Sequence, residues 1–291
     1  MTDDIDNGKK ILFITYWFPP YCLPGAGLRT VKFLKYIHRL RPNWRMEVVQ
    51  SGFGQDEVMR RPDSEFLLAE VPKIVKRYKI HDPNILNAAA SGSQHRRPGS
   101  GFIQPRPGLF QRLLGAFSGK KTRRRTLIEP MPDPQISWNN AVKPTFLGRQ
   151  AQDNNYDLIF VSTPPYSTAL LGVELKYIFG GNVPLIVDMR DDWSYVWKSF
   201  NDKRYEVEKA MEQQVVNTAS KIILPTKASW MGYKERYDQL EDRFALIENG
   251  VDMDDWADYD PAATRPAKFK ISCAGTPQEG PHPQTFPADV S

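Results

Sequence analysis

Short apolar runs alternate along this chain with longer segments of helical period, and a parallel sheet covered by helices is the arrangement that buries both. The runs are Lys10 to Thr15 (KILFIT), Arg45 to Gln50 (RMEVVQ), Phe66 to Val71, Asp157 to Ser162 (DLIFVS), Pro184 to Asp188, Lys221 to Leu224 and Phe244 to Ile247. Helices are predicted over Gly27 to Leu40, Tyr166 to Phe179, Glu206 to Ala219 and Ser229 to Tyr237. The helix between the strands ending at Ser162 and Asp188 has the length of a right-handed crossover. The expected fold is therefore α/β, a Rossmann-like doubly wound and mostly parallel sheet. It should occupy residues 9–262, after a disordered start over 1–8 and before a linker and stub over 263–291.

With 291 residues, 41% of them hydrophobic and 25% charged, the chain can bury a large core. Cys22 and Cys273 have no CxxC partner, and His38, His81, His95 and His282 show no HxxxH or HxH spacing. A disulfide framework and a Cys or His metal site are therefore not expected. GxxxxGK[ST] and GxSxG are absent, which disfavours a P-loop NTPase and an α/β-hydrolase. The first residues lack an apolar h-region, and no run approaches the roughly 20 apolar residues that span a bilayer, so a cytoplasmic chain is expected.

The formal net charge of +5 is local. Nine Lys and Arg and no acid lie between Gln94 and Arg125, so the remainder carries about −4. This stretch belongs to an insertion over about 81–134, rich in Gly, Pro, Ser and Arg. Within it, Leu109, Phe110, Leu113, Leu114 and Phe117 form a short amphipathic pattern among cations. Arg106, Phe110, Arg112, Leu113, Lys120 and Lys121 are the residues expected to contact an anionic membrane. The alternative is a helix packed on its own domain with solvated charges. No nucleic-acid motif accompanies the basic residues, and nucleic acid is not an expected partner.

In an open parallel sheet, ligands bind beyond the carboxyl ends of the strands, where helix N-termini aim their amides into the crevice. The first strand leads into Pro24-Gly25-Ala26-Gly27-Leu28-Arg29, whose glycines would let backbone approach a diphosphate. Thr30 stands where a dinucleotide fingerprint has its third glycine, which disfavours an NAD(P) oxidoreductase. Ser162-Thr-Pro-Pro-Tyr-Ser167 ends a strand, with Ser162 or Thr163 available to cap the next helix. Asp188-Met-Arg190-Asp191-Asp192-Trp193 gathers three carboxylates and a guanidinium at another strand end. That cluster could bind sugar hydroxyls or act on a reacting hydroxyl, or its Asp–Arg pairs could merely pin the loop. Leu224-Pro-Thr226 reads as a helix cap, and Ile247-Glu-Asn249-Gly250-Val-Asp252 as a turn with Gly250 at positive φ.

KILFITYWFPP with PGAGLR, YDLIFVSTPPYS, PLIVDMRDDW, ASKIILPTKASW and ALIENGVDMDDW resemble, in order and spacing, the N-terminal half of family 4 type glycosyltransferases of GT-B fold, from about Lys9 to Trp256. The resemblance implies an acceptor-binding domain facing a donor-binding one, and retaining transfer from a nucleotide sugar without cofactor or catalytic metal. The acceptor would be a saccharide or lipid-linked glycan in cell-surface polysaccharide assembly. On that analogy Gly25, Gly27 and Arg29 face the donor diphosphate, and Asp188, Arg190 and Asp191 lie at the reacting centre. Ser162, Thr163, Trp193, Thr226 and Asn249 line the acceptor cleft. Met189-Arg190-Asp191 stands where many relatives carry a histidine, so no histidine role is carried over. Lys268 to Ala274 reads as the first strand of the donor domain, whose glutamate pair is not found in the residues that follow. The expectation is one half of a two-domain enzyme, inactive alone. The noncatalytic alternative is a Rossmann-like module that docks on a membrane or a partner.

Overall fold

The computed structural model describes residues 8–22, 24–52, 64–83, 130–147, 155–198 and 201–258. These include seven strands, β1 (Lys10–Thr15), β2 (Arg45–Gly52), β3 (Lys76–His81), β4 (Leu158–Thr163), β5 (Leu185–Met189), β6 (Lys221–Leu224) and β7 (Phe244–Leu246). All pair in parallel in the order β3-β2-β1-β4-β5-β6-β7. The helices are α1 (Pro24–Leu40), α2 (Phe66–Glu70), α3 (Ile136–Leu147), α4 (Ser167–Ile178), α5 (Asp202–Thr218) and α6 (Lys227–Arg236). The fold is a Rossmann-like α/β sheet wound in both directions from β1, and the switch point lies between β1 and β4.

The central strands are largely apolar because both of their faces are covered. Ile11 and Phe13 join Val48, Phe160 and Ile223 beneath α1 and α2, which contribute Val31, Leu34 and Leu67. Leu12 and Ile14 point the other way and join Val161, Val187 and Leu224 beneath α3 to α6. That second face holds the bulkiest buried rings, Trp138, Trp193, Tyr16 and Tyr233. Helix α4 ends in Gly180 and Gly181 at φ 88° and 84°. Their amides donate to Tyr177 O and Lys176 O, a left-handed stop that glycine adopts without steric cost.

Two expectations need correction. The apolar run Phe66 to Val71 is not a strand: Phe66–Glu70 is one short helix that buries Leu67 and leaves Phe66 59% exposed. The strand is β3, KRYKIH, at the sheet edge; its Tyr78 and Ile80 pack on the core while Lys76, Arg77, Lys79 and His81 face solvent, as edge strands do to resist further pairing. Helix α3 follows the insertion, burying Trp138, Asn139, Val142 and Phe146, and the Trp138 Nε1 donates to Ile80 O at 2.8 Å, which fixes β3. Gly250 does not take positive φ; among the described residues only Gly180 and Gly181 do.

Among the described residues, those up to Met253 belong to one compact unit. The expected membrane-contact residues Arg106 to Lys121, the expected strand Lys268 to Ala274 and the start at 1–7 lie outside the described residues. No helix among the described residues is long and apolar enough to cross a membrane.

Candidate functional site

The carboxyl ends of the strands meet beneath the start of α1. Pro24 opens that helix, where its missing N–H forfeits no hydrogen bond. The expected glycine loop is therefore the first helical turn. A Cβ on Gly27 would lie 2.7 Å from Cys22 Sγ and 3.0 Å from Pro19 Cδ, so glycine there lets the helix close on the β1 exit. Gly25 is exposed, and a Cβ there would meet nothing within 4 Å. No acidic side chain occupies this first turn, so its amides and positive dipole end keep their attraction for anions.

One turn on, Arg29 reaches back into the sheet. Its Nε donates to both carboxylate oxygens of Asp188 at 3.1 Å, Nη2 donates to Ile247 O at 2.7 Å, and Nη1 donates to Glu248 O at 3.1 Å and Asn249 Oδ1 at 3.0 Å. A single guanidinium thus ties the ends of β5 and β7 to α1. Burial pushes the Asp188 carboxyl above the ordinary carboxylate range, and Arg29 and then Arg190 pull it part of the way back. Farther along the helix, Lys32, Lys35 and Tyr36 all donate to the Asp252 carboxylate, at 2.7, 2.6 and 2.6 Å. The segment after β7 is thereby strapped along one face of α1.

Arg190 is equally committed. Its Nε donates to Thr163 O at 2.8 Å, Nη2 to Pro164 O at 3.0 Å and Nη1 to Ala26 O, locking the β4 exit to the first turn of α1. Burial lowers its pKa from the ordinary arginine value, with Asp188 and Asp191 opposing the shift.

The side chains of Asp188 and Arg190, expected at the reacting centre, are thus both engaged in bonds within the fold. Ser162, Thr163 and Trp193, expected in the cleft, lie in the core at 1%, 0% and 0% exposure. Thr163 Oγ1 donates to Asp188 O, and Trp193 stacks on Tyr166 with centroids 5.0 Å apart and donates Nε1 to Glu208. Thr226 is the exposed cap of α6, accepting from Ser229 N at 3.1 Å. Asp191 and Asn249 are exposed, so the side chains of the expected site that face solvent at this edge are Asp191, Thr226 and Asn249, beside the bare backbone of Gly25.

Several functional groups were not visible in the sequence. Register aligns Gln50, Thr15, Ser162 and Asp188 across four adjacent strands, a polar row closing the apolar core under α1. Both amide atoms of Gln50, Ser162 Oγ and the nearby α1 hydroxyl of Thr30 are buried without hydrogen-bond partners. Each such group costs about 1–3 kcal/mol, an expense that folds concentrate where polarity serves a site. Neither Ser162 nor Thr163 caps α4; Asp133 does, its Oδ2 accepting from Ser167 N at 2.9 Å. On α5, Glu208 and Glu212 share the buried stripe of Val215, Val216 and Ala219, a register that could have flagged them. Glu212 accepts from Ser194 N at 2.8 Å and Glu208 from Trp193 Nε1 at 3.0 Å, anchoring the far end of the β5 exit loop.

No family model matches the chain, and no curated protein matches it. Among solved structures, a sucrose-phosphate synthase from Thermosynechococcus elongatus aligns at 13% identity and TM-score 0.46, over 84% of this chain and 49% of that one. A UGT transferase from Siraitia grosvenorii in complex with UDP aligns at 8% and 0.40, over 83% and 50%. The N-terminal domain of a Candida albicans trehalose-6-phosphate phosphatase aligns at 11% and 0.41, over 84% and 50%. The chain spans about half the length of each.

Proposed function

We propose that this chain is the acceptor-binding part of a family 4 type glycosyltransferase of GT-B architecture, moving a sugar from a nucleotide-sugar donor to a saccharide or lipid-linked acceptor of cell-surface polysaccharide. The observation that carries this reading is the meeting of three separate motifs, PGAGLR, DMRDDW and IENG, around the Arg29 guanidinium at the carboxyl edge of a parallel sheet. In this reading the first turn of α1 balances charge developing on the leaving diphosphate, without a metal. Asp191 and Asn249 orient the acceptor hydroxyl, and Asp188 and Arg190 act by holding α1 and the β5 exit in place. Transfer retains configuration and requires a donor-binding domain facing this one.

Acceptor binding can be read without turnover. Saturation-transfer NMR of the chain with surface glycans from its host should show contacts that Asp191→Ala and Asn249→Ala abolish; contacts that survive both substitutions would count against this assignment. Joining a donor domain in frame should restore transfer from a nucleotide sugar in the presence of EDTA.

The noncatalytic reading, a module docked on the cytoplasmic face of a membrane, draws on the nine cations between Gln94 and Arg125. Flotation with anionic vesicles, lost on deletion of 94–125 while glycan contacts persist, would assign membrane contact to that segment. Flotation with no glycan contact at all would favour the noncatalytic role.

A further inference from the structure

On the sheet face opposite α1, the 3-10 turn Ser194–Trp197 and helices α5 and α6 line a half-open cavity of about 550 Å3, within the ~300–1,000 Å3 usual for small-molecule sites. Its walls carry three cations, Lys198, Lys209 and Arg236, beside three acids, Asp192, Glu212 and Glu235. Lys198 and Lys209 lie over the rings of Tyr195 and Tyr205, 5.2 and 5.5 Å from the centroids, and neither meets a carboxylate among the described residues. The Arg236 guanidinium lies 5.0 Å from the Tyr195 centroid and 4.3 Å from that of Tyr233, yet its Nε and Nη2 are buried with no acceptor.

None of these acids forms an ion pair with these cations among the described residues, exposed Glu235 included. Glu212 is spent on Ser194 N and the hydroxyls of Tyr233 and Tyr237. Asp192 Oδ1 is itself buried without a donor. The cavity therefore asks for an occupant that brings anionic oxygens for Arg236 and the lysines, hydroxyl donors for Asp192, and a flat C–H face for tyrosine rings. A guanidinium with free N–H groups matches a carboxylate or phosphate better than any neutral group.

We propose that this cavity binds an acidic saccharide unit, a sugar bearing a phosphate or a carboxylate, with its oxyanion on Arg236, Lys198 and Lys209 and its ring face on Tyr195. Tyr195 is 48% exposed on a single 3-10 turn, so it can turn outward to uncover the guanidinium edge as the oxyanion seats. The site stands on the cavity's own groups and does not require that the chain transfer sugar.

The test is calorimetric titration of the whole chain at low ionic strength with glucose 6-phosphate, glucuronate, inorganic phosphate and glucose. At least one acidic sugar should bind saturably and about tenfold tighter than glucose or inorganic phosphate, a difference of ~1.4 kcal/mol. Preference for the phosphate or the carboxylate sugar identifies the source of the oxyanion. Arg236→Gln should weaken binding by about tenfold or more. Because Arg236 also packs on buried Tyr233, the surface double variant Lys198→Gln with Lys209→Gln should weaken binding at unchanged melting temperature. Absence of saturable binding, glucose or inorganic phosphate binding as tightly as the acidic sugars, or full affinity in the lysine double variant would each overturn the proposal.

Discussion

Replacing Arg29 by Met probes the joint on which the carboxyl edge depends. The lost hydrogen bonds to Ile247 O and Glu248 O should matter little, because both residues are exposed and water can replace the guanidinium. Asp188 is different: it is 0% exposed, and its pairing partner is only 10% exposed at the side chain. Removing one member of a buried pair typically costs about 3–5 kcal/mol. Asp188 can escape by taking a proton, and near pH 7 that escape costs about 4 kcal/mol from an ordinary carboxylate pKa, which caps the loss. The expected destabilisation is therefore about 3–4 kcal/mol near pH 7. Near pH 5 the cap itself falls to about 1.5 kcal/mol, so the penalty should shrink with acid at up to ~1.4 kcal/mol per pH unit. Urea titrations of Arg29→Met at the two pH values measure it, and Asp188→Asn in the same background should recover most of the loss. A penalty below ~1 kcal/mol, as for a surface pair, or one that does not change with pH, would refute the reasoning.

Gly27→Ala should lose about 1–3 kcal/mol in denaturant, since its methyl meets Cys22 Sγ at 2.7 Å, whereas Gly25→Ala, facing open space, should not be destabilised by overpacking. Burial raises the Asp133 carboxyl above its unfolded value, so its contribution is complete below the unfolded pKa and is lost as pH rises through the folded one. Thermal melts across that acid window should show a shallower decline in Asp133→Asn than in the parent. Glu212→Gln keeps the shape but removes the charge that the Ser194 amide and two tyrosine hydroxyls address; a loss of about 1–3 kcal/mol is expected, with faster amide exchange at Ser194. Unchanged exchange there would show that Glu212 does not hold the loop.

The sheet was legible because strands buried on both faces must be apolar along their whole length, as KILFIT and DLIFVS are. The same rule hides an edge strand, whose security against further pairing comes from charge: KRYKIH carries its Tyr78 and Ile80 inward between cations and reads as polar chain. Helix α3 was obscured by the neighbouring insertion and by its own Pro144, a residue that ordinarily breaks a helical pattern. At the site, position was legible and hydrogen-bond partners were not. That Asp188, Arg190 and Asn249 gather at strand ends follows from parallel topology, but the partner of Asp188 is 159 residues away, and no local pattern indicates that Arg29 would reach it.

The placement of charge at this edge separates two tasks that one motif seems to combine. A group that touches a changing ligand must be able to release it, whereas a group that fixes geometry is most effective when its bonds are saturated and its surroundings dry. Arg29 and Arg190 meet the second condition, with guanidinium N–H groups directed to carbonyls and carboxylates of three strand exits. Asp191 and Asn249 meet the first, being open to solvent, and Asn249 shares with Arg29 only one of its polar atoms, Oδ1. Substitutions at the two classes should therefore diverge: Arg190→Gln should lower stability and ligand binding together, while Asp191→Ala should leave the melting temperature near that of the parent and change binding alone. If Asp191→Ala instead melted the fold, the division between holding and touching would be wrong, and the DMRDD segment would act as structure throughout.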